Sequence, residues 1–280
     1  MKIAPIIHTR TYSCDFSPEL KVRPETFMDS DVKWARKIIL EATKSIDNLQ
    51  GERWVIADNG KYRLAGVVGF LKNICSKCSI LEEERKSMEE LFYDDKGRLV
   101  YAFIGIVINI SEIDNSIILT YDDLWNIFIK FIQPVWKRIY QEVITTNFDE
   151  YELKGISDKF FSIEPEQVGE RKIYEANSNM DYKLFCWYLC NKSENNITFC
   201  SNITDINTVK ESEFKIITTS SNIITRLKRM NRLESVKKTE REQEVNSKES
   251  TVEKKKLLIL LIICLISCIV LLVILVLSLV

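Results

Sequence analysis

The chain has 280 residues, of which 46% are hydrophobic and 28% charged, and its formal net charge is −1. Eight glycines, five prolines and eight cysteines exclude collagen-like, disulfide-knot and wholly disordered proteins. Residues 226–256 hold eleven Lys or Arg and six Glu, net +5, whereas residues 1–225 hold 28 basic and 34 acidic residues, net −6. We therefore expect a mildly acidic α+β domain over 1–225, a basic charged stalk over 226–256 and an apolar tail over 257–280.

The first elements of the domain are expected to be a strand, a loop and a helix. Residues 2–13 alternate loosely and contain β-branched side chains, which favours a strand. A proline-containing loop is expected over 14–27. Apolar residues recur at helical spacing over 32–49, and Gly51 stands where a C-cap glycine would. This pattern predicts an amphipathic helix that ends close to Gly51.

The middle of the domain predicts a sheet. Residues 53–71 indicate a hairpin, because Asn59 and Gly60 supply the positive φ angles of a tight turn. Gly66 lies inside the second strand, where a glycine marks a bulge or a close approach of two backbones. Residues 99–110 are nearly all apolar, which is typical of a central strand covered on both faces.

The second half of the domain begins with a clear helix and then loses its pattern. Thr120 and Asp123 have the spacing of a capping box, and Pro134 should kink the helix that follows. After that helix, 149–175 is expected to be mostly loop and 149–225 a looser subregion. The short elements expected inside it are a helix over 182–190, strands over 197–201 and 214–219, and a helix beginning near Ile224. The element order predicts an α+β fold with a mixed or antiparallel sheet and packed amphipathic helices.

Residues 257–280 form a run of 24 residues without a charge. As a helix rising about 1.5 Å per residue they would extend roughly 36 Å, more than the ~30 Å hydrocarbon core of a bilayer. The run predicts one C-terminal transmembrane helix and, at the end of the chain, a tail anchor. Lys254, Lys255 and Lys256 adjoin it, and basic residues beside a span stay on the cytoplasmic side. We therefore expect a single-pass membrane protein with its N-terminal domain in the cytoplasm.

Within the apolar tail, Cys264 and Cys268 are one helical turn apart, with Ser267 beside them. Small residues let membrane helices approach closely, so this face could pack tails into a homo-oligomer. A passive, lipid-exposed anchor is the alternative. The positive charge of the stalk suits an anionic leaflet, although a solvated linker explains it equally well. The lipid bilayer is thus the first expected partner.

Cys75 and Cys78 have the spacing that lets two thiolates reach one tetrahedral zinc ion, and they are half of a candidate metal site. The other half would have to come from distant cysteines such as Cys186, Cys190 and Cys200. The alternative is that all of these are small buried hydrophobic residues. No organic cofactor is expected.

Residues able to carry acid–base catalysis are sparse. His8 is the only histidine and lies in an apolar strand, which favours a structural role. Asp149, Glu152 and Lys154 resemble the pattern of a Mg²⁺-dependent nuclease, in which two carboxylates hold the metal, but such strings are common in charged chains. No catalytic residue is assigned. The acidic domain also argues against a nucleic-acid partner.

These observations support one main hypothesis and two alternatives. The first is a tail-anchored, non-enzymatic sensor or adaptor whose cytoplasmic domain binds a protein partner or a small ligand at the membrane surface. The second is a membrane effector, of defence or toxin type, whose tails assemble and disturb the bilayer. The third is a membrane-tethered, metal-dependent hydrolase that uses the acidic string at 149–154.

Overall fold

The computed structural model describes residues 2–13, 17–45, 51–113, 117–151, 165–168, 170–191 and 196–231. The chain divides into two compact units, Met1–Leu227 and Lys228–Val280, and of the second only 228–231 are described, as part of a helix. No helix in the described ranges is long and apolar enough to cross a membrane. Most of the expected stalk and all of 257–280 lie outside those ranges, so both stay predictions.

The first unit is built on a mixed β-sheet and has the predicted α+β class. Its strands in chain order are β1 (Lys2–Thr9), β2 (Glu19–Pro24), β3 (Arg53–Asp58), β4 (Tyr62–Phe70), β5 (Tyr101–Asn109), β6 (Ile144–Thr146), β7 (Asp149–Glu150), β8 (Glu166–Val168), β9 (Arg171–Glu175), β10 (Thr198–Cys200) and β11 (Ile216–Thr219). Across the sheet they lie in the order β6, β2, β1, β5, β4, β3, β10, β11, β9 and β8, and β7 pairs with β1. In this spatial order, each pair of neighbouring strands between β2 and β10 is antiparallel. The strands β10, β11 and β9 are parallel to one another.

Helices cover both faces of this sheet. They are α1 (Asp29–Ala42), α2 (Leu71–Ser76), α3 (Glu82–Ser87), α4 (Tyr121–Ile132), α5 (Ser178–Cys190), α6 (Ile206–Glu211), 3-10 segments at Glu89–Phe92, Ile110–Glu112 and Gln133–Gln141, and the helical residues 221–227 at the end of the first unit. On one face α1 packs its Ala35, Ile38 and Ile39. On the other face α4 and α5 bury Phe128 and Phe185. The sheet is therefore the middle of three layers.

The predicted hairpin and central strand are confirmed. β3 and β4 pair antiparallel around a turn in which Gly60 has φ +88°. β5 lies between β1 and β4, and its side chains alternate between two hydrophobic cores. Ile104 and Ile106 belong to the core under α4 and α5, while Phe103 and Val107 belong to the core under α1. Because both faces are covered, the strand needs apolar residues at every position.

Gly66 and Gly105 are paired across β4 and β5. A Cβ on Gly66 would lie 2.3 Å from the carbonyl oxygen of Ile104, and a Cβ on Gly105 would lie 2.4 Å from that of Ala65. The Phe103 ring also comes within 2.8 Å of the first position and 2.7 Å of the second. No side chain fits at either site, which confirms the predicted close approach at Gly66.

The loop predicted over 14–27 is wrong in its second half, because β2 occupies it. Leu20 and Val22 are buried while β2 pairs antiparallel with β1. Pro24 is the last residue of β2, beside the short strand β6. The strand was hidden because its alternation is only a few residues long and its polar residues are charged.

The helix predicted over 32–49 is correct in place but ends early, at Ala42. Gly51 is not its C-cap. Ser45 takes a left-handed conformation with φ +60°, which breaks helical geometry after one further turn. The buried Arg53 donates from Nη1 to the carbonyl of Ala42 at 2.8 Å and so takes up an unpaired helix carbonyl. The helix is thus ended by a residue from the neighbouring strand.

The capping box predicted for α4 is confirmed. The amide of Asp123 donates to the Thr120 hydroxyl at 3.1 Å, and the Thr120 amide donates to the Asp123 carboxylate at 2.8 Å. Pro134 lies in the first turn of the 3-10 segment that follows α4. Since proline lacks an N–H and obstructs the preceding turn, it marks the end of the regular helix.

The carboxyl end of α5 is held by a buried ion pair from the hairpin. Arg63 makes a two-pronged contact with Asp58, with distances of 2.8 Å and 2.9 Å. Its Nη1 donates to the carbonyls of Tyr188 at 2.9 Å and Asn191 at 2.8 Å, at the end of α5. The amide of Ile197 donates to Asp58 at 3.1 Å. The pair joins β4, α5 and the start of β10.

The stretch 149–175 was predicted as loop, and β9 shows that this is wrong at its end. Ile173 and Tyr174 are buried in β9, which pairs in parallel with β11. Its Arg, Lys and Glu residues hide the strand pattern in the sequence. The expected helix over 182–190 and strands over 197–201 and 214–219 correspond to α5, β10 and β11.

Candidate ligand-binding site

Three parallel strands end beside the start of α5. β9 ends at Glu175 and leads through Asn177 into α5, while β10 ends at Cys200 and leads to Asn202. β3 runs antiparallel to β10, so that Glu52, just before β3, reaches the same edge of the sheet. Ligands of α/β proteins commonly bind outside the carboxyl ends of parallel strands. The topology therefore places polar residues from three chain segments around one point.

A cavity of about 230 Å³ lies at this edge. The residues that matter for its chemistry are Glu52, Trp54, Lys77, Asn177, Asp181 and Asn202. A second cavity of about 380 Å³ adjoins it and shares Ala176 and Asn177 in its wall. We call the smaller one the Asp181 cavity.

Asp181 is the most unusual residue of the Asp181 cavity. It is only 6% exposed, although it carries a carboxyl group and lies in the first half of α5. The Thr218 side chain hydrogen-bonds the carboxylate, but Oδ1 has no hydrogen-bond partner. Burial raises the pKa of Asp181 to about 6, and the negative charge of Glu52 adds to this effect. The site thus contains a buried carboxyl group that is bonded by the Thr218 side chain and the Asn177 backbone but whose Oδ1 lacks a donor.

Glu52 is the second carboxylate of the cavity. The Tyr121 hydroxyl donates to its Oε1 at 2.5 Å. Burial and the charge of Glu52 raise the pKa of Tyr121, so the phenol stays a donor. Neither Glu52 nor Asp181 has an ion pair within the described part of the chain.

An aromatic cluster forms the wall behind Glu52. The Trp54 ring lies 4.8 Å from Tyr121, 5.0 Å from Tyr182 and 4.5 Å from Phe185, measured between ring centroids. Trp54 is also fixed through its backbone, because its amide donates to the Ser201 hydroxyl at 2.8 Å. The wall is therefore preorganised by packing between β3, α4 and α5.

Two asparagines shape the rim of the cavity. Asn177 caps α5, since its Oδ1 accepts from the amide of Asn179 at 3.1 Å. Asn202 has φ +52°, and its amide donates to the Thr218 hydroxyl at 2.7 Å. Lys77, just after α2, is an exposed cation at the same cavity. The rim thus offers amide groups and one ammonium group around the two carboxylates.

The predicted metal ligands Cys75 and Cys78 lie in and just after α2, and both are buried. The Cys78 thiol donates to the carbonyls of Ile74 at 3.4 Å and Tyr121 at 3.5 Å. Burial raises the pKa of both thiols, that of Cys78 to about 12, which opposes thiolate formation. Among the residues that the structure describes, His, Cys, Asp and Glu form no group of three that could hold a metal ion. The zinc half-site stays a prediction.

The remaining candidate residues lie elsewhere. His8 is fully buried in β1, and burial, with the nearby Arg36 charge, lowers the pKa of its imidazole to about 4. Asp149 begins β7, whereas Glu152 and Lys154 fall outside the described residues. The described residues also do not include two other predicted sets. These are the basic residues Lys254, Lys255 and Lys256 and the small residues of the predicted membrane helix, Cys264, Ser267 and Cys268.

Sequence reasoning missed Glu52 and Asp181. Asp181 stands just before the helix predicted over 182–190, where an acidic residue is ordinarily explained by the helix dipole. Glu52 stands just before the predicted hairpin and has no motif around it. No protein-family model, curated protein or solved structure matches the chain. The geometry of the Asp181 cavity is therefore the basis for a functional proposal.

Proposed function

We propose that the protein is a membrane-bound, non-enzymatic sensor whose α+β domain binds a small polar ligand in the Asp181 cavity. Residues 257–280 hold it on a membrane, with the domain on the cytoplasmic side. The observation that carries the proposal is the buried Asp181 carboxyl, whose Oδ1 has no partner and which lines a cavity.

The energetics favour a binding role for Asp181. A buried polar group without a partner costs about 1–3 kcal/mol, more if it is charged. Such a group calls for an explanation, and a ligand that supplies the missing donor is one. The cavity of about 230 Å³ suits a small molecule. Ligand pockets combine an apolar wall with a few converging polar groups, as Trp54 and the two carboxylates do here.

Binding is a better proposal than catalysis because of where the acid–base groups lie. The histidine, His8, is in β1, separated from β3 by β5 and β4. The phenol of Tyr121 and the thiols of Cys75 and Cys78 have raised pKa values, since burial disfavours their anions. Groups in this state donate hydrogen bonds but are poor nucleophiles.

The ligand-binding part is tested with small molecules that co-purify with the full-length protein. Full-length wild type and Asp181→Asn are purified in detergent, denatured, and their extracts compared by mass spectrometry. We expect at least one compound enriched in the wild type and lost from Asp181→Asn, because the amide carries no negative charge and has one acceptor oxygen in place of two. Glu25→Gln changes the same charge at an exposed loop position and should retain the compound. Identical extracts from wild type and Asp181→Asn would contradict the proposal.

The membrane part is tested by deletion of 257–280. The full chain should sediment with membranes and resist extraction by high salt, because the hydrophobic run is long enough to span a bilayer. The truncated chain should appear in the soluble fraction. Salt-extractable full-length protein would show that the tail does not insert.

The membrane-effector alternative depends on the stripe of Cys264, Ser267 and Cys268 in the tail. It predicts that expression of the full chain is toxic and that removal of 257–280 abolishes the toxicity. A harmless full-length protein would favour the sensor.

A further inference from the structure

The Asp181 cavity collects negative charge that the described part of the protein does not neutralise. Asp181 and Glu52 both line it, and they lie close enough for the charge of Glu52 to act on Asp181. The partner of Glu52 at Oε1 is the neutral Tyr121 hydroxyl. The exposed Lys77 lies at the cavity but is not within ion-pair distance of either carboxylate. A cation between the two carboxylates would favour the ionised form of Asp181.

The groups around the carboxylates suit an organic cation. Trp54 lines the cavity, and its ring can cover methylene groups and attract a positive charge. Tyr121 packs against Trp54, with ring centroids 4.8 Å apart. The side-chain amide of Asn202 offers a further acceptor at the rim, whereas Oδ1 of Asn177 already accepts from the Asn179 amide. For a metal ion, by contrast, the described residues provide no group of three His, Cys, Asp or Glu side chains here.

We propose that the ligand carries a protonated amino group that binds between Asp181 and Glu52; this inference rests on the function proposed above. The ammonium donates to Oδ1 of Asp181 and to Glu52, and the apolar part of the ligand lies against Trp54. The ligand class is therefore a small aliphatic amine.

The test uses three probes with four-carbon chains and different charge: putrescine, butanediol and succinate. Binding to the full-length protein in detergent micelles is measured near neutral pH by ligand-observed NMR. We expect putrescine to bind with at least about tenfold higher affinity than butanediol, because charge-assisted hydrogen bonds are the stronger ones. Succinate should not bind, since both carboxylates would repel it.

Variants locate the binding. Asp181→Asn and Glu52→Gln should each reduce putrescine affinity by about tenfold or more, because each removes one negative charge. Lys77→Met should increase the affinity by about twofold to fivefold, since it removes an exposed positive charge. Glu25→Gln should leave it unchanged. Circular dichroism and the thermal midpoint show whether each variant is folded, and Glu52→Gln, which keeps an acceptor for Tyr121, serves if Asp181→Asn unfolds.

The outcomes separate this inference from the proposed function. If butanediol or succinate binds better than putrescine and loses affinity in Asp181→Asn, the cavity is a ligand site but the amine class is wrong. If putrescine binds equally to wild type, Asp181→Asn and Glu52→Gln, the inference is wrong. Failure of all three probes also overturns it, whereas the proposed function is judged separately by the compounds that co-purify with the wild type.

Discussion

The two ends of α5 are built in opposite ways. At the carboxyl end, Asp58 is 8% exposed and meets Arg63 through two hydrogen bonds, with Ile197 supplying a third. Near the amino end, Asp181 is 6% exposed, and its Oδ1 has no partner. Burial is therefore the same at both ends, and only the partners differ. Both carboxylate oxygens of Asp58 accept hydrogen bonds within the protein, whereas Oδ1 of Asp181 can still accept one from a ligand.

Helix geometry explains part of this contrast. The last carbonyls of a helix have no partner within it, and Arg63 donates to two of these groups at the end of α5. At the amino end, Asn177 caps one amide, and the cavity lies beside it. The carboxyl end of α5 is thus hydrogen-bonded to protein groups, whereas its amino end borders the Asp181 cavity.

The largest expected effect is at the closed end. Arg63→Met leaves Asp58 buried without its counter-charge, and this should lower the free energy of unfolding by about 3–5 kcal/mol. Urea denaturation followed by circular dichroism measures it. Lys37→Met, which removes the exposed pair with Glu213, should cost less than about 1 kcal/mol. A similar loss of unfolding free energy in Arg63→Met and Lys37→Met would show that the buried pair of Asp58 stabilises the fold no more than a surface pair does.

The pH dependence of stability should identify Asp181 at the other end. The pKa of Asp181 rises from 3.8 to about 6 on folding, so folding favours its neutral form. The favourable contribution of Asp181 to folding stability is fully present below its unfolded pKa of 3.8. It is lost as the pH rises to the folded pKa of about 6. Asp181→Asn should therefore be more stable than wild type by roughly 1–3 kcal/mol above pH 6, with the difference disappearing near pH 4. If the difference in unfolding free energy between wild type and Asp181→Asn does not change with pH, folding does not raise the pKa of Asp181.

A smaller effect is expected at the wall of the cavity. Tyr121→Phe removes the donor to Glu52, and loss of one such hydrogen bond should lower the free energy of unfolding by about 1–2 kcal/mol. Tyr12→Phe, a matched change where the ring packs on Trp136, should stay within about 0.5 kcal/mol of wild type. Equal thermal stability of wild type and Tyr121→Phe would mean that the contact with Glu52 does not persist in solution.

The smallest effect is expected at the cap of α5. Asn177→Ala removes the acceptor for the Asn179 amide and should cost about 1 kcal/mol in thermal or chemical unfolding. Asn177→Asp keeps the acceptor and should restore the loss. If Asn177→Asp is as unstable as Asn177→Ala, the side chain acts through the cavity and not as a cap.

Local patterns predicted the elements that depend on few residues. The hairpin turn at Asn59 and Gly60, the capping box of Thr120 and the apolar strand β5 all carry their signals within a short stretch of sequence. β2 and β9 were missed because their strand character depends on pairing with β1 and β11. The end of α1 was misplaced because Arg53, from the next strand, binds the last carbonyl of the helix, at Ala42, and that of Lys44 just after it.

The candidate site was harder to predict than the fold. Glu52 and Asp181 are 129 positions apart in the sequence, and each has an ordinary explanation in its own neighbourhood. They meet because β3 and β10 pair antiparallel and α5 packs against β3. A pair of single acidic residues at such a separation leaves no spacing signal that a motif could detect.

The sequence by itself determined the division of charge along the chain, the apolar run at 257–280 that predicts a membrane helix, and the α+β class, because hydropathy and charge patterns are local properties. Only the tertiary structure decided which buried carboxylate is neutralised. Asp58 and Asp181 are both aspartates near apolar residues, yet the strand order places Arg63 against the first and a cavity beside the second. Burial and ion pairing depend on contacts between segments that are distant in the sequence. The candidate ligand site, the Asp181 cavity, is formed by such contacts.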